Sequence, residues 1–267
     1  MGWPVQVVHV QYLAYRTVQR STMERIMKTA SLCLAVIGLV HGVSAQTGGA
    51  VVAMVGPSFS MVSSDWNFYT DHQTFRGGFN FGAGYRYRLS PHWSVQAAAL
   101  AEQKGFLIDG DIAFTDVNGN LYRNQSMTIR FEYTYWSLPV LLRFNPSGKT
   151  HTCATAGLVP SLLNKAIVRI PGLNDPNTGE ELIPASETDF TEDYQHVDLG
   201  ARLSIGAGRR MNDRLLIELD LGYTHGLLNM WDERAYKDHL LNRSAAVLVH
   251  VAYALKSGTA AAATGTE

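Results

Sequence analysis

The chain has 267 residues, 46% of them hydrophobic and only 17% charged, with 24 glycines and 10% aromatics. Its 22 basic and 23 acidic residues leave a net charge of -1, and nothing in it points to the clustered basic face that a nucleic-acid partner requires, so no nucleic acid is expected as a partner. With Cys33 and Cys153 as its only cysteines, and Cys33 in a segment expected to be removed, the chain cannot be a disulfide-stapled scaffold.

Residues 1–45 read as an N-terminal extension and a signal peptide. After Arg25 and Lys28 comes an apolar run over 30–40, then Gly42-Val43-Ser44-Ala45 before Gln46, the basic, apolar and small-residue succession of a cleavable export signal. Cleavage is expected between Ala45 and Gln46. The run falls well short of the ~20 apolar residues a spanning helix needs, and Met23 and Met27 each offer an alternative start.

From 46 to 256 the dominant pattern is alternation. In 79–89, Phe79, Phe81, Ala83, Tyr85, Tyr87 and Leu89 share one parity, against Asn80, Gly82, Gly84, Arg86 and Arg88. Windows 196–208 and 215–224 repeat this two-residue period, the signature of a strand with two unlike faces. The charges in these windows (Arg86, Arg88, Asp198, Arg202, Glu218, Asp220) all take the polar parity, an outcome with odds of roughly one in sixty by chance. Eight strands are predicted, over 50–61, 77–89, 93–106, 127–145, 150–165, 194–208, 214–226 and 243–256. In the fourth, the apolar parity runs through Ile129, Phe131, Tyr133 and Tyr135, then through Leu138, Val140, Leu142 and Phe144; a bulge near Ser137, beside Pro139, would account for the switch. Gly56-Pro57 in the first strand is a poor fit to an uninterrupted ladder.

The connections alternate in length. Short ones at Ser90-Pro91-His92, Asn145-Pro146-Ser147-Gly148 and Arg210-Met211-Asn212-Asp213 hold turn residues. Long polar ones fall near 62–76, 107–126, 166–193 and 227–242. The fold expected is all-β: an eight-stranded antiparallel up-and-down transmembrane β-barrel, after a signal peptide, with both termini on the short-turn rim and a small, polar, disordered tail at 257–267.

Alternation does not by itself say which face meets lipid, since a soluble barrel alternates too. Three features favour lipid outside. Glycines 78, 82, 84, 200, 206, 208 and 222 lie on the polar parity, as the crowded inside of a narrow barrel demands. Tyr85, Tyr87, Trp93, Tyr223 and Tyr253 gather near strand ends like an interfacial girdle. The loop asymmetry fits too, and hydrocarbon tolerates only a closed sheet.

The stretches GGFNFGAGYRYRL, WSVQAAALAEQKGF, YWSLPVLLRF, ATAGLVPSLL, DLGARLSIGAG and LLIELDLGYTHGLLN, in that order, resemble the PorT-type outer-membrane β-barrel domain common in Bacteroidetes. The resemblance spans nearly the whole chain after residue 46. It implies an eight-stranded barrel in the outer membrane of a Gram-negative cell envelope, usually with no assigned activity; some relatives are linked to secretion and gliding machinery. One departure is that the last strand ends near Tyr253-Ala254-Leu255 with a tail after it, where such barrels typically end on an aromatic residue.

An eight-stranded barrel is just wide enough to be filled by its own side chains. Arg86, Arg88, Glu102, Arg130, Glu132, Asp198, Arg202, Glu218, Asp220 and His250 are therefore expected to form an inward polar network of paired charges. His196, Asp198, Ser204, Ser244 and His250 invite a hydrolase reading, but a triad is defined by geometry, which spacing does not supply, and no catalytic residue is assigned. No metal site is assigned either, because His225, His239 and His250 lack ligand spacing. The acidic run Asp175, Glu180, Glu181, Glu187, Asp189, Glu192 and Asp193 reads as a solvated face. No cofactor is implied. The partners expected are outer-membrane lipid and, through the long loops, surface or envelope proteins. The function expected is a structural or surface-interaction role in the outer membrane without catalysis; the alternative is a membrane-embedded lipid-modifying enzyme or a small-ligand-binding or transport barrel.

Overall fold

The computed structural model describes residues 48–64, 72–115, 121–146, 151–174, 179, 181–231 and 239–255. The expected signal peptide, its cleavage site at Ala45 and Gln46, and the tail at 257–267 lie outside the described residues. The strands are β1 (Gly49–Ser64), β2 (Gln73–Arg88), β3 (Trp93–Thr115), β4 (Leu121–Ser137), β5 (Val140–Phe144), β6 (His151–Ile170), the short β7 (Leu173–Asn174), β8 (Glu181–Ile183) and β9 (Ser186–Asp189), then β10 (Val197–Arg210), β11 (Leu215–Gly226) and β12 (Leu240–Ala254). β5 continues the line of β4 between β3 and β6. Counting those two as one, eight antiparallel strands follow one another in space, and β6 pairs back to β10 to close the ring. The fold is the up-and-down barrel that the alternation predicts.

Two expectations need correction. The fourth strand carries no bulge at Ser137. Register is continuous through it, with Leu100 opposite Ser137 and Ala97 opposite Val140 on one side, and Ser161 opposite Ser137 and Leu158 opposite Val140 on the other. Tyr133, Tyr135, Ser137, Leu141 and Arg143 are all buried on one parity, so it is the chemistry of the inner face that changes along the strand. The register shift in this wall falls instead between Thr134 and Tyr135 against β6, where Lys165 and Leu163 face them and Asn164 is the extra residue. Most of the connection expected at 107–126 is also strand, for β3 and β4 pair out to Thr115 and Leu121. The segment lacks an apolar parity, which is the signal by which a strand is recognised in a sequence, so its polarity made it look like a loop.

Pro57 is accommodated by a local break. β1 pairs with β12 at Val55 and again at Ser58, leaving Gly56 and Pro57 unpaired on that side. There the backbones come so close that a Cβ on Gly56 would sit 2.0 Å from the Val247 carbonyl oxygen. A proline without an N–H and a glycine without a side chain suit that crossing.

The outer face carries an apolar belt with sharp borders. Its outward positions are uncharged from Trp93 to Ala101 on β3, from Trp136 through Phe144 on β4 and β5, and from Ala245 to Tyr253 on β12. Nine residues at ~3.3 Å each, tilted about 40°, cover about 23 Å, close to the lipid-facing band of outer-membrane barrels. At the short-turn border, Trp93 packs on Phe144 with ring centroids 4.9 Å apart, and Arg214 Nη1 donates to the Tyr253 hydroxyl at 3.1 Å. Beyond the long-loop border the outward positions turn charged. Arg76 pairs with Glu132 at 3.5 Å, Glu132 with Arg169 at 3.6 Å, and Arg169 with Glu187 at 3.3 Å. Farther out, the Thr191 hydroxyl and backbone N–H both donate to Asp189, holding its carboxyl below the usual range.

Candidate functional site in the barrel lumen

Inward residues fill the barrel in tiers. Among the described residues four cations, Arg86, Lys104, Arg143 and Arg202, and four carboxylates, Glu102, Asp198, Glu218 and Asp220, are buried. Their formal charges cancel. An unpaired buried ion costs several kcal/mol, so such a lumen is tenable only when its charges are paired or hydrogen-bonded; among the described residues Asp198 is the carboxylate without a cation partner and is held by Asn242.

Toward the short turns, Glu218 is the hub. Arg86 Nη2 donates to its Oε2 at 2.7 Å and Arg143 Nη2 donates to its Oε1. Arg86 Nε also donates to Gln96 Oε1 at 3.1 Å, and Arg143 Nε to Asn145 Oδ1 at 2.9 Å. A second hub is Asp220, which accepts from Arg202 Nη2 at 3.2 Å and from the Ser204 hydroxyl at 2.8 Å. Glycines make room for these side chains, since a Cβ on Gly222 would lie 2.5 Å from Arg202 Nη2. Toward the long loops, Lys104 lies 3.2 Å from Glu102 and 4.9 Å above the Tyr135 ring. Ser137 donates to Glu102 and shares a hydrogen bond of 2.7 Å with Ser161. Asn242 Nδ2 donates to Asp198 Oδ2 at 2.8 Å and reaches the Tyr135 hydroxyl at 3.3 Å. Above this tier the lumen is apolar and aromatic, closed by Val62, Phe106, Tyr133, Tyr194, Met230 and Leu240. Tyr133 and Tyr194 join through their hydroxyls at 2.8 Å, and Trp231 stacks on Tyr194 at 4.9 Å.

Of the ten residues read from the sequence as an inward network, Arg86, Glu102, Asp198, Arg202, Glu218, Asp220 and His250 are buried in the lumen. Three are not. Arg88 is exposed at the end of β2, where its Nε donates to the Ser90 carbonyl. Arg130 is exposed and Glu132 stands among the outward ion pairs beyond the belt. On this part of β4 the apolar parity fills the lumen and the charged parity meets water, because the strand has already left the hydrocarbon. Lys104 and Arg143, absent from the sequence reading, belong to the network. Both were within reach, since Lys104 shares the parity of Glu102 and Arg143 alternates with Val140, Leu142 and Phe144.

The residues that invited a hydrolase reading do not assemble as one. Ser204 donates to Asp220, while both ring nitrogens of His250 are buried without a hydrogen-bond partner, and His196 is exposed. His250, Arg143, Arg202, Asp220, Gln96 and Thr155 instead border a cavity of about 10 Å³, the size of a single water site. No group of three or more potential metal ligands occurs among the described residues.

A family model described as an outer membrane protein beta-barrel domain matches residues 44–232. No curated protein sequence matches the chain. Among solved structures, the chain is similar to Ail, the attachment invasion locus protein of Yersinia pestis, in complex with the heparin analogue sucrose octasulfate, at 14% identity and a TM-score of 0.37, covering 79% of this chain and 100% of that one. Neisserial surface protein A matches at 12% identity and a TM-score of 0.38, over 76% and 97% of the two chains. OprG of Pseudomonas aeruginosa matches at 10% identity and a TM-score of 0.40, over 78% and 96%.

Proposed function

Since the chain belongs to the outer membrane protein beta-barrel domain family, we propose that it is a closed barrel of the outer membrane that acts through its outer surface and not through its lumen. The observation that carries this reading is the contrast between the two ends of the wall. The lumen is occupied by paired charges under an aromatic cap, whereas β3 continues from Gln103 to Thr115 beyond the belt, roughly 40 Å of strand at ~3.3 Å per residue. β4, β6 and β9 continue with it, while β11 ends at Gly226, one residue past His225. One side of the barrel therefore stands above the membrane as a polar sheet, and long loops face the cell exterior in this class. A raised sheet of polar sequence on a rigid scaffold is suited to contact with surface or envelope proteins. A transport role needs a path that the packed tiers do not offer. In planar bilayers the purified protein is expected to give no ohmic conductance steps; stable steps would overturn the closed-lumen reading.

The proposal extends to export and subgroup. The basic, apolar and small-residue succession before Gln46 supports cleavage after Ala45, and N-terminal sequencing of protein recovered from the outer membrane is expected to read Gln46 first. Any other first residue would displace the site. The order of the six stretches from GGFNFGAGYRYRL to LLIELDLGYTHGLLN supports membership of the PorT-type subgroup; a profile of that subgroup scoring the chain below other barrel families would remove it.

A further inference from the structure

On the outer face, at the long-loop border of the belt, Arg243 and His225 are register partners on β12 and β11. Both take the outward parity, so their Cβ atoms lie about 5 Å apart. Across the barrel, Arg76 and Arg169 are neutralised by Glu132 and Glu187. Arg243 has no carboxylate partner among the described residues, and its Nε is buried without an acceptor. The Tyr223 hydroxyl sits 3.3 Å from His225 Nδ1, which occupies that nitrogen and leaves Nε2 as the one to meet a ligand.

Directly below, toward the hydrocarbon, the wall dips. Ala245 is the next outward residue on β12, and its register partners are Tyr223 on β11 and Phe59 on β1. Those rings are 46% and 51% exposed, so a lone methyl lies between two projecting side chains. The result is an apolar slot floored by Ala245 and walled by Tyr223 and Phe59. A cation at the edge of hydrocarbon is costly unless it meets an anion or reaches the headgroup layer. The Arg243 guanidinium beside the His225 ring above and the apolar slot below thus call for two chemistries found in one molecule, an anionic head and a hydrocarbon tail. We infer that Arg243, His225 and the Ala245 slot bind a single phosphorylated membrane lipid, its phosphate on Arg243 and His225 and one acyl chain over Ala245 between Tyr223 and Phe59.

The test is native mass spectrometry of the full-length mature protein released from detergent. It is incubated with lipid A bearing its phosphates, with the same lipid A after phosphatase treatment, and with inorganic phosphate alone. One phosphorylated lipid A is expected to be retained about tenfold better than the dephosphorylated form, the scale of one charge-assisted hydrogen bond. Arg243→Gln should erase that preference and Arg243→Lys should keep part of it. Ala245→Leu should weaken both lipids about tenfold by filling the slot. Folding of each variant is checked by the heat-dependent shift of its gel band. Equal retention of the two lipids, an unchanged preference in Arg243→Gln, or inorganic phosphate binding that competes with the lipid would each overturn the assignment.

Discussion

Glu218→Ala is expected to destabilise the folded barrel by about 3–5 kcal/mol, the cost of leaving buried charge uncompensated. Glu218 is 2% exposed and receives both Arg86 and Arg143, so its removal strands two guanidinium groups, one of them completely buried. Glu218→Gln keeps an acceptor oxygen and the side-chain volume but loses the charge, and should fall between the wild type and the alanine variant. Urea unfolding in lipid vesicles, followed by the fraction of unboiled protein that migrates as folded, measures the series. A loss below about 1 kcal/mol for Glu218→Ala, the scale of an exposed pair, would show that bulk water reaches the hub and screens its charges. Because Glu218 anchors β2 and β5 across the barrel, the loss should appear as faster unfolding of the whole ring and not as fraying at one seam.

The second large effect is expected on the opposite face. Leu203 is 65% exposed, outward on β10, and lies in the middle of the row of uncharged outward positions from Val197 to Ala207. Leu203→Arg should cost about 2–4 kcal/mol in a bilayer, the depth-dependent price of a cation at the midplane of a membrane barrel. The matched control is Arg130→Leu, also outward and exposed but on the projecting wall, where a change within about 0.5 kcal/mol is expected for a surface site. If Leu203→Arg were neutral in lipid, or Arg130→Leu as costly as its counterpart, the belt would be wrongly placed. Together the pair of variants maps where hydrocarbon stops along the wall.

Much of this architecture was legible in the residues because a strand with unlike faces has a two-residue period. β2, β10 and β11 show it cleanly, and there the inward charges Arg86, Asp198, Arg202, Glu218 and Asp220 could be picked out one by one. In β4 the same rule misled. It equates the apolar parity with lipid, and that equation holds only while the strand is inside the membrane. Before Trp136 the outer face meets water, so Tyr133 and Tyr135 turn inward to form the aromatic cap and Glu132 turns outward to Arg76 and Arg169. Nothing local marks that exit, because the level of the membrane is set by where neighbouring strands place their own charges.

What the amino-acid sequence determined by itself is the eight strands of the wall, the rim on which the turns are short, and the parity of each well-alternating segment, all consequences of local periodicity and turn chemistry. What only the tertiary structure decided is which charges meet. Arg86 and Glu218 are 132 positions apart, and the contact between them depends on ring closure, strand stagger and the glycines that let side chains cross a narrow lumen. The same holds for Arg243 and the slot beneath it, which exist only because β11, β12 and β1 come into register side by side. Pairing between distant strands is a property of the closed sheet, and a linear pattern does not carry it.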